Sequence, residues 1–298
     1  MILPKKGNDY LTVETSEILN EIGIEEINES LLSLPGADRL SGEDWKEISE
    51  LIALGCDGFL ARDLQEFYDI QTEKSYGDGR AFLDLVAKCK GTIEPFKALK
   101  GETVVVDWKT TNSPVDNENW RTRCIRSYQW REYKFREPSA KLFIFRGLSR
   151  SVDWRKKGEE TEPAKRVREV VLHLPDSLIE DVSYRINLID SMRASLADKE
   201  VWTKNTQSCD DYGYTCPYLR DCESNSMPRK LIELREMSFS QRETFLQCPE
   251  RYRRNEIAKR EGELNAEDST NIGKVVHAGL QRIWDAAFQK FHGSIQGN

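Results

Sequence analysis

The β-branched run Thr103–Val106 is the feature that most constrains the fold of this 298-residue chain. β-branched side chains fit the pleated surface of a strand and lose rotamer freedom in a helix, so this segment predicts a strand. Further strand patterns lie at Leu64–Ile70, Ala81–Lys88, Lys141–Phe145 and Val167–Leu174. The first three strands along the chain are predicted to form a hairpin-like meander.

Helical patterns surround these strands and make the predicted architecture α/β. They cover an acidic stretch over Thr15–Leu54 with a break at Pro35–Gly36, and then Asn117–Phe135, Asp176–Leu196, a segment from Ser238 to Ala258, and Asn271–Phe291. Ser240 and Glu243, three residues apart, predict a capping box for the fourth of these helices. The 38% of hydrophobic residues suffices for one substantial core or for two small domains.

The composition also bears on where the chain resides. No run of about 18 apolar residues is present, so we expect no membrane insertion. The N-terminal segment lacks the apolar stretch of a signal peptide, and we therefore expect a cytoplasmic, intracellular protein.

Positive charge is concentrated locally although the net charge is −7. The net charge argues against a protein that coats nucleic acid by bulk attraction. Basic clusters nevertheless occur at Arg121–Arg136, Arg146–Lys157 and Arg251–Arg260, and aromatic residues such as Tyr128 and Trp154 are interleaved with the first two. Such mixtures suit backbone phosphates and stacked bases, although each run is equally typical of a solvated helix face.

Acidic residues interrupt two of the predicted strands. Asp107 and Lys109 are two residues apart, which places both side chains on one face of a strand. Asp84 interrupts an apolar strand, where a carboxylate is costly unless it is paired or binds a cation. Together the two carboxylates would hold Mg²⁺ or Mn²⁺, and the lysine would orient or deprotonate water. Taken alone, the Asp-x-Lys pattern is usually a surface salt bridge, and Glu66 is either a further acid or a strand-edge charge.

Four of the seven cysteines have the character of metal ligands. Cys209, Cys216 and Cys222 lie in a short segment rich in turn formers, and Cys248 follows in a Cys-Pro motif. In an intracellular chain such a set favours a metal or cluster over disulfides. The spacing is wider than in most zinc sites and mildly favours an iron–sulfur cluster, with zinc as the alternative. The isolated cysteines are expected in the core: Cys56, Cys89 and Cys124.

Several motifs together resemble the PD-(D/E)XK nuclease superfamily, and specifically its RecB-like branch, which includes RecB, AddB and CRISPR-associated nucleases. These motifs are Asp84-Leu-Val, Val-Asp107-Trp-Lys109-Thr-Thr, Tyr128-Gln129-Trp-Arg-Glu-Tyr133, the segment from Ser238 through Cys248-Pro249 to Tyr252, Gly273-Lys-Val-Val-His277 and the cysteine trio. The resemblance covers most of the chain from about residue 64 onward.

The resemblance implies a restriction-endonuclease-like core, with a central mixed β-sheet flanked by helices and a cysteine-rich cluster-binding lobe. It implies that His277, Asp84 and Asp107 bind Mg²⁺ or Mn²⁺ and that Lys109 is catalytic. It further implies that Gln129 and Tyr133 line the site and contact DNA. The four cysteines would hold a [4Fe–4S] cluster. His173 and His292 match no motif and are expected to be structural.

The order of the motifs departs from the family, in which the serine-cysteine-proline and histidine segments come first. A circular permutation accounts for this order, since each motif occurs once. The competing interpretation is a tandem array whose second copy is cut off, so that His277 would belong to an absent domain. We expect a helical segment at 1–58, a nuclease core at 59–205, and a region at 206–298 that carries the cysteine loop and the permuted motif.

The leading hypothesis is a metal-dependent DNA exonuclease that acts on single-stranded or end-processed DNA. A helicase, a recombinase or CRISPR adaptation proteins could deliver the substrate, in repair, phage replication or spacer processing. Two alternatives remain: an inactive nuclease-like DNA-binding or interaction subunit, and a regulatory protein with a zinc site.

Overall fold

The computed structural model describes residues 15–34, 37–76, 81–150, 165–197, 199, 202–205, 207, 209, 215–224, 237–261 and 268–293. Its helices are α1 (Thr15–Glu21), α2 (Ile24–Leu31), α3 (Gly42–Glu66), α4 (Glu118–Arg126), α5 (Gln129–Arg136), α6 (Leu178–Leu196), α7 (Leu219–Ser224), α8 (Phe239–Gln247), α9 (Pro249–Glu261) and α10 (Asp268–His292). Its strands are β1 (Phe67–Tyr76), β2 (Ala81–Cys89), β3 (Thr103–Thr111), β4 (Ala140–Ser149) and β5 (Val167–His173).

The five strands form one mixed sheet in the order β1-β2-β3-β4-β5. Strands β3 and β4 run parallel, and every other neighbouring pair is antiparallel. The parallel pair is joined through α4 and α5, because a parallel connection has to cross back over the sheet. The predicted α/β architecture with a central mixed sheet and flanking helices is confirmed. The predicted cysteine-rich lobe stays a prediction, since 210–214 and 225–236 lie outside the described residues.

Helices cover both faces of the sheet. On one face α3 and α10 bury residues such as Leu51, Val106 and Leu280 in a single apolar cluster. On the other face α4 and α5 pack against residues that include Val105 and Phe143. The isolated cysteines are buried in these two clusters, as expected: Cys56, Cys89 and Cys124. None of the helices in the described part of the chain has the length and apolarity needed to cross a bilayer.

Helix α3 extends further than the sequence predicts, which corrects the expected strand start at Leu64. The helix begins at a capping box formed by Ser41 and Asp44, and it stays helical through Glu66. The Glu66 carboxylate is buried and accepts the backbone N–H groups of Gly91 and Thr92 at 2.5 and 2.9 Å. Glu66 is therefore neither a further active-site acid nor a strand-edge charge, and the expected boundary at residue 58 falls within α3.

Two other predicted helices are interrupted. The segment Asn117–Phe135 is divided between α4 and α5 at Ser127, whose backbone is extended and whose hydroxyl accepts the N–H of Gln129 at 3.2 Å. The segment predicted to run to Ala258 is divided between α8 and α9 at Cys248. The capping box of α8 uses Ser238 and Gln241 rather than the predicted Ser240 and Glu243.

A buried ion pair links the two layers of the fold. Arg146 on β4 donates two hydrogen bonds of 2.6 Å to Asp63 on α3, and both side chains are fully buried. Asp63 also accepts the indole N–H of Trp284 on α10 at 2.9 Å. One carboxylate thus connects α3, the sheet and α10.

Replacement of Asp63 is expected to destabilise the protein strongly. Asp63→Asn removes the bidentate partner of the buried Arg146 and leaves it only the 3.2 Å contact with Glu169, and loss of a buried ion-pair partner costs about 3–5 kcal/mol. The exposed pair of Glu118 and Arg121 provides the control, because Glu118→Gln should cost less than about 1 kcal/mol. Urea unfolding followed by tryptophan fluorescence measures both changes, and equal stability of the two variants would contradict this role.

Candidate active site

Two carboxylates lie where β2 and β3 separate. The last paired residues are Leu85 and Val106, and the next residues along the two strands are Asp84 and Asp107. Like charges directly opposite each other destabilise a strand pair, so the end of the ladder at this point has a physical reason. Beyond it, the N–H of Trp108 donates to the Asp84 carboxylate at 2.7 Å.

Asp107 and Lys109 project to the same side of β3, as the strand period predicts. The Lys109 ammonium lies 2.7 Å from Oδ2 of Asp107. The Asp107 side chain is buried, whereas that of Lys109 remains about one third exposed. The lysine therefore compensates the buried carboxylate while its side chain stays partly exposed to solvent.

Helix α5 contributes two further polar groups to Asp107. The Gln129 amide donates to Oδ1 of Asp107 at 3.1 Å and to the Tyr133 hydroxyl at 2.6 Å. The Tyr133 hydroxyl lies 3.5 Å from the same Oδ1. Because Gln129 and Tyr133 are one helical turn apart, both reach a single carboxylate.

Helix α10 brings His277 to the other carboxylate. Its Nδ1 lies 3.6 Å from Oδ2 of Asp84, and the two residues line one cleft with Trp108 and Trp284. The close approach of α10 depends on Gly273, one turn before the histidine, because a Cβ there would lie 2.7 Å from Oγ1 of Thr110. The structure thus brings together all six residues predicted for the reaction.

Burial dominates the electrostatics of the site. It raises the pKa of Asp107 to about 6, with the neighbouring Asp84 adding to the rise and Lys109 opposing it. Burial likewise raises the pKa of Asp84 against the influence of Lys109. Burial and the nearby Lys109 lower the pKa of His277 to about 4, so its imidazole is neutral at pH 7. Burial lowers the pKa of Lys109, but the two carboxylates more than reverse this, so it stays an ammonium.

The donor set suits a divalent cation in its chemistry. Two carboxylates and a neutral imidazole are ligands of Mg²⁺ and Mn²⁺ sites. Within the part of the chain that the structure describes, no three histidine, cysteine, aspartate or glutamate side chains are arranged to hold one metal ion. Oxygens of the two carboxylates are occupied instead by Lys109 and the Trp108 N–H.

Glu73 is a site residue that the sequence analysis missed. It follows Thr72, which pairs with Leu85, and therefore lies across from Asp84 in the β1–β2 hairpin. Glu73 also lines the cleft and has a positive φ of 43°. Burial and the charge of Asp84 raise its pKa. Only the register of the hairpin places this residue, and no local sequence motif marks it.

The basic clusters differ in their availability to a ligand. Arg121, Arg123 and Arg126 are exposed on α4. In contrast, Arg146 is buried against Asp63, while 151–157 lie outside the described residues. Arg253 and Arg254 are buried against Glu250. The second and third clusters are therefore not solvated basic patches over the residues described.

Most aromatic residues near α4 and α5 belong to the core, which corrects the expected stacking surface. Trp120, Trp130 and Tyr133 are buried. Tyr128 is half-buried, and its ring lies 3.6 Å from the Arg185 guanidinium.

All four cysteines predicted as ligands lie among the described residues, whereas the loop at 210–214 lies outside them. Cys209, Cys216 and Cys222 are half-buried, whereas Cys248 is buried, and all four are free thiols. The N–H of Cys216 donates to the carbonyl of Cys209 at 2.6 Å, and the N–H of Asn205 approaches Sγ of Cys248 at 3.5 Å.

The two histidines without a motif lie away from the site. His173 ends β5 at the surface. His292 contacts the Leu64 carbonyl at 2.7 Å and stacks on Phe288, which fits the expected structural role.

Comparison with known proteins gives one match. A family model of the PD-(D/E)XK nuclease superfamily matches residues 236–295, which carry α8, α9 and α10. The matched segment includes His277, whereas the acids and the lysine that it meets lie outside the match. No curated protein and no solved structure matches the chain.

Gly273→Ala is expected to displace α10 and weaken metal binding. The added methyl group would overlap Thr110, and overpacking of this kind costs about 1–3 kcal/mol. We expect a lower unfolding temperature and at least a tenfold weaker affinity for Mn²⁺, measured by calorimetry. Thr110→Ala in the same chain should restore both, whereas Gly42→Ala, where the new Cβ meets nothing within 4 Å, should change neither. Failure of Thr110→Ala to restore Mn²⁺ binding would contradict the steric explanation.

The raised pKa of Asp107 predicts a pH-dependent stability of the metal-free protein. Between about pH 4 and 6 the folded state keeps a proton that the unfolded chain releases, so the contribution of Asp107 to stability falls as the pH rises through this window. Asp107→Asn should therefore be more stable than the wild type by about 1–3 kcal/mol at pH 7 and equally stable at pH 4. Urea unfolding in EDTA tests this, with the exposed Asp116→Asn as control. A constant difference at both pH values would refute the prediction.

Proposed function

We propose that this protein is a metal-dependent deoxyribonuclease of the PD-(D/E)XK type. The observation that carries the proposal is the convergence of four polar side chains from three separate elements: Lys109 pairs with Asp107, His277 approaches Asp84, and the charges of Asp84, Lys109 and His277 all act on Asp107. The family match supports it independently, since the matched segment supplies the histidine.

Each residue of the site has a separate role in the proposed phosphodiester hydrolysis. Asp84, Asp107 and His277 would hold Mg²⁺ or Mn²⁺, which activates water and polarises the phosphate when bound. Lys109, as an ammonium beside Asp107, orients the attacking water and balances the charge that develops on the phosphate. Gln129 and Tyr133 hold Asp107 in place from the side of α5.

We further propose that the chain is a circularly permuted member of the RecB-like branch. The support is the position of α10, which packs in the same core as α3 and the first strands. At the crossing of α3 and α10, added Cβ atoms on Gly55 and Gly279 would lie 2.8 and 2.5 Å from Leu280 and Ile52. Such close packing favours one complete domain over the start of an absent second copy.

The proposed substrate is single-stranded or end-processed DNA, cleaved as an exonuclease. The exposed arginines of α4 provide the basic surface for backbone phosphates: Arg121, Arg123 and Arg126. Cys124 on the same helix is close enough to Asp107 and Lys109 for their charges to affect its pKa, which burial raises. This influence supports a basic surface beside the proposed reaction site.

We propose a [4Fe–4S] cluster on Cys209, Cys216, Cys222 and Cys248, with zinc as the alternative. Four free thiols are the right donors for either group. A brown colour of anaerobically purified protein that Cys216→Ser abolishes would identify the cluster, because zinc proteins are colourless.

Cleavage of end-labelled single- and double-stranded DNA tests the proposed function. The wild type should shorten DNA with Mg²⁺ or Mn²⁺ but not in EDTA. Asp107→Ala and Lys109→Met should each reduce the rate by about 10²–10⁴-fold, because each removes a group at the reacting phosphate. Lys97→Ala, which changes an exposed lysine, should cleave like the wild type. Binding without cleavage under every metal would reject the nuclease and favour an inactive DNA-binding subunit.

A further inference from the structure

Helix α8 is attached to α5 by a buried ion pair. Arg242 Nη1 donates to Oε2 of Glu132 at 2.6 Å, and both side chains are about 2% exposed. Glu132 lies on α5 between Gln129 and Tyr133, the two residues that contact Asp107. The pair therefore joins the C-terminal segment to the turn of helix that faces the proposed reaction site.

A second contact extends the same attachment to α6. Glu243, next to Arg242 on α8, accepts a hydrogen bond of 2.8 Å from Arg185. The Arg185 guanidinium in turn stacks on Tyr128, the residue immediately before α5. Two consecutive residues of α8 thus connect it to α5. Arg242 contacts α5 directly, and Glu243 is linked to the start of α5 through Arg185 on α6.

Helix α5 needs external contacts to keep its orientation. It has eight residues and begins after the helix is interrupted at Ser127. Helices of this length are not stable on their own. The Gln129 amide has to meet Asp107 and Tyr133 at the same time. A small rotation of α5 about its axis would lengthen the hydrogen bond to Asp107 on β3, whereas the bond to Tyr133 lies within α5 and would move with the helix.

We propose that Glu132 and Arg242 are positioning residues that hold Gln129 and Tyr133 against Asp107. The proposal rests on the proposed nuclease function, in which Asp107 binds the metal ion. Neither Glu132 nor Arg242 touches the reacting atoms. Their pairing keeps a buried carboxylate compensated, and the cost of leaving it unpaired fixes α5 to α8 in a single arrangement.

Arg242→Met is the first variant to measure, because it removes the charge and keeps an unbranched side chain. The matched control is Arg166→Met, since Arg166 forms a buried pair with Glu47 on α3 and neither residue belongs to α5 or α8. At a temperature where both variants are folded, we expect Arg242→Met to lower the single-turnover cleavage rate at least tenfold. Affinity for the same DNA in Ca²⁺ should change less than threefold. Equal loss of cleavage in both variants would overturn the proposal.

A double-mutant cycle with Gln129 separates positioning from general stabilisation. If Arg242 acts through Gln129, then Arg242→Met should reduce cleavage by less than twofold when Gln129→Ala is already present. Reductions that multiply instead would show that the two residues act independently, and the proposal would be wrong.

A measurement without catalysis keeps this proposal distinct from the nuclease function. In metal-free protein labelled with ¹⁵N-glutamine, the side-chain amide signal of Gln129 is assigned by its loss in Gln129→Ala. Arg242→Met should shift this signal, whereas Arg166→Met should not. An unshifted signal overturns the proposal even if the wild type cleaves DNA. A shifted signal in a protein that never cleaves supports the positioning of Gln129 and rejects the proposed function.

The double variant Glu132→Gln/Arg242→Met is used if Arg242→Met does not fold. It leaves no charge unpaired at this position, and replacing both partners of a buried pair is often tolerated. The same loss of cleavage and the same shift of the Gln129 signal are expected. Wild-type values for both would overturn the proposal.

Discussion

The assembly of the site depends on the interactions of the buried Asp63 carboxylate with Arg146 and Trp284. The carboxylate compensates Arg146 in the sheet and accepts the indole N–H of Trp284 on α10. Trp284 lies seven residues after His277, which is two helical turns on the same side of α10. The contact with Asp63 therefore fixes α10 along its axis and holds the histidine at the cleft. A charge this deeply buried cannot lose its partners without a large cost in stability.

The site lies where β2 and β3 separate, because two carboxylates would otherwise face each other across the strand pair. Asp84 and Asp107 would be cross-strand neighbours if the β2–β3 ladder continued. Their repulsion favours the end of the ladder at this point, and the gap gives access to both carboxylates. The Lys109 ammonium then reduces the cost of burying Asp107. The acidic pair thus weakens the sheet locally and leaves both carboxylates near the position proposed for the metal ion.

Local patterns predict the part of the site that lies on single elements. The two-residue strand period is sufficient to place Asp107 and Lys109 on one side, and one helical turn is sufficient for Gln129 and Tyr133. Contacts between distant segments leave no such signal in the sequence. The register of the β1–β2 hairpin places Glu73 opposite Asp84, and the end of α3 places the Glu66 carboxylate where it accepts backbone N–H groups. The extension of α3 past Leu64 has the same origin, since tertiary packing overrides strand propensity there.

The C-terminal segment provides the partners of two buried carboxylates in the rest of the chain. Glu132 is buried against Arg242, and Asp63 accepts the indole of Trp284, with both partners inside the matched residues 236–295. If this segment began a second, absent domain, removing it would leave a buried carboxylate at position 132 without its closest cation. Burial of an unpaired charge is among the most unfavourable arrangements in a protein interior. The position of these partners therefore supports the proposal that the C-terminal segment belongs to the same domain as the sheet.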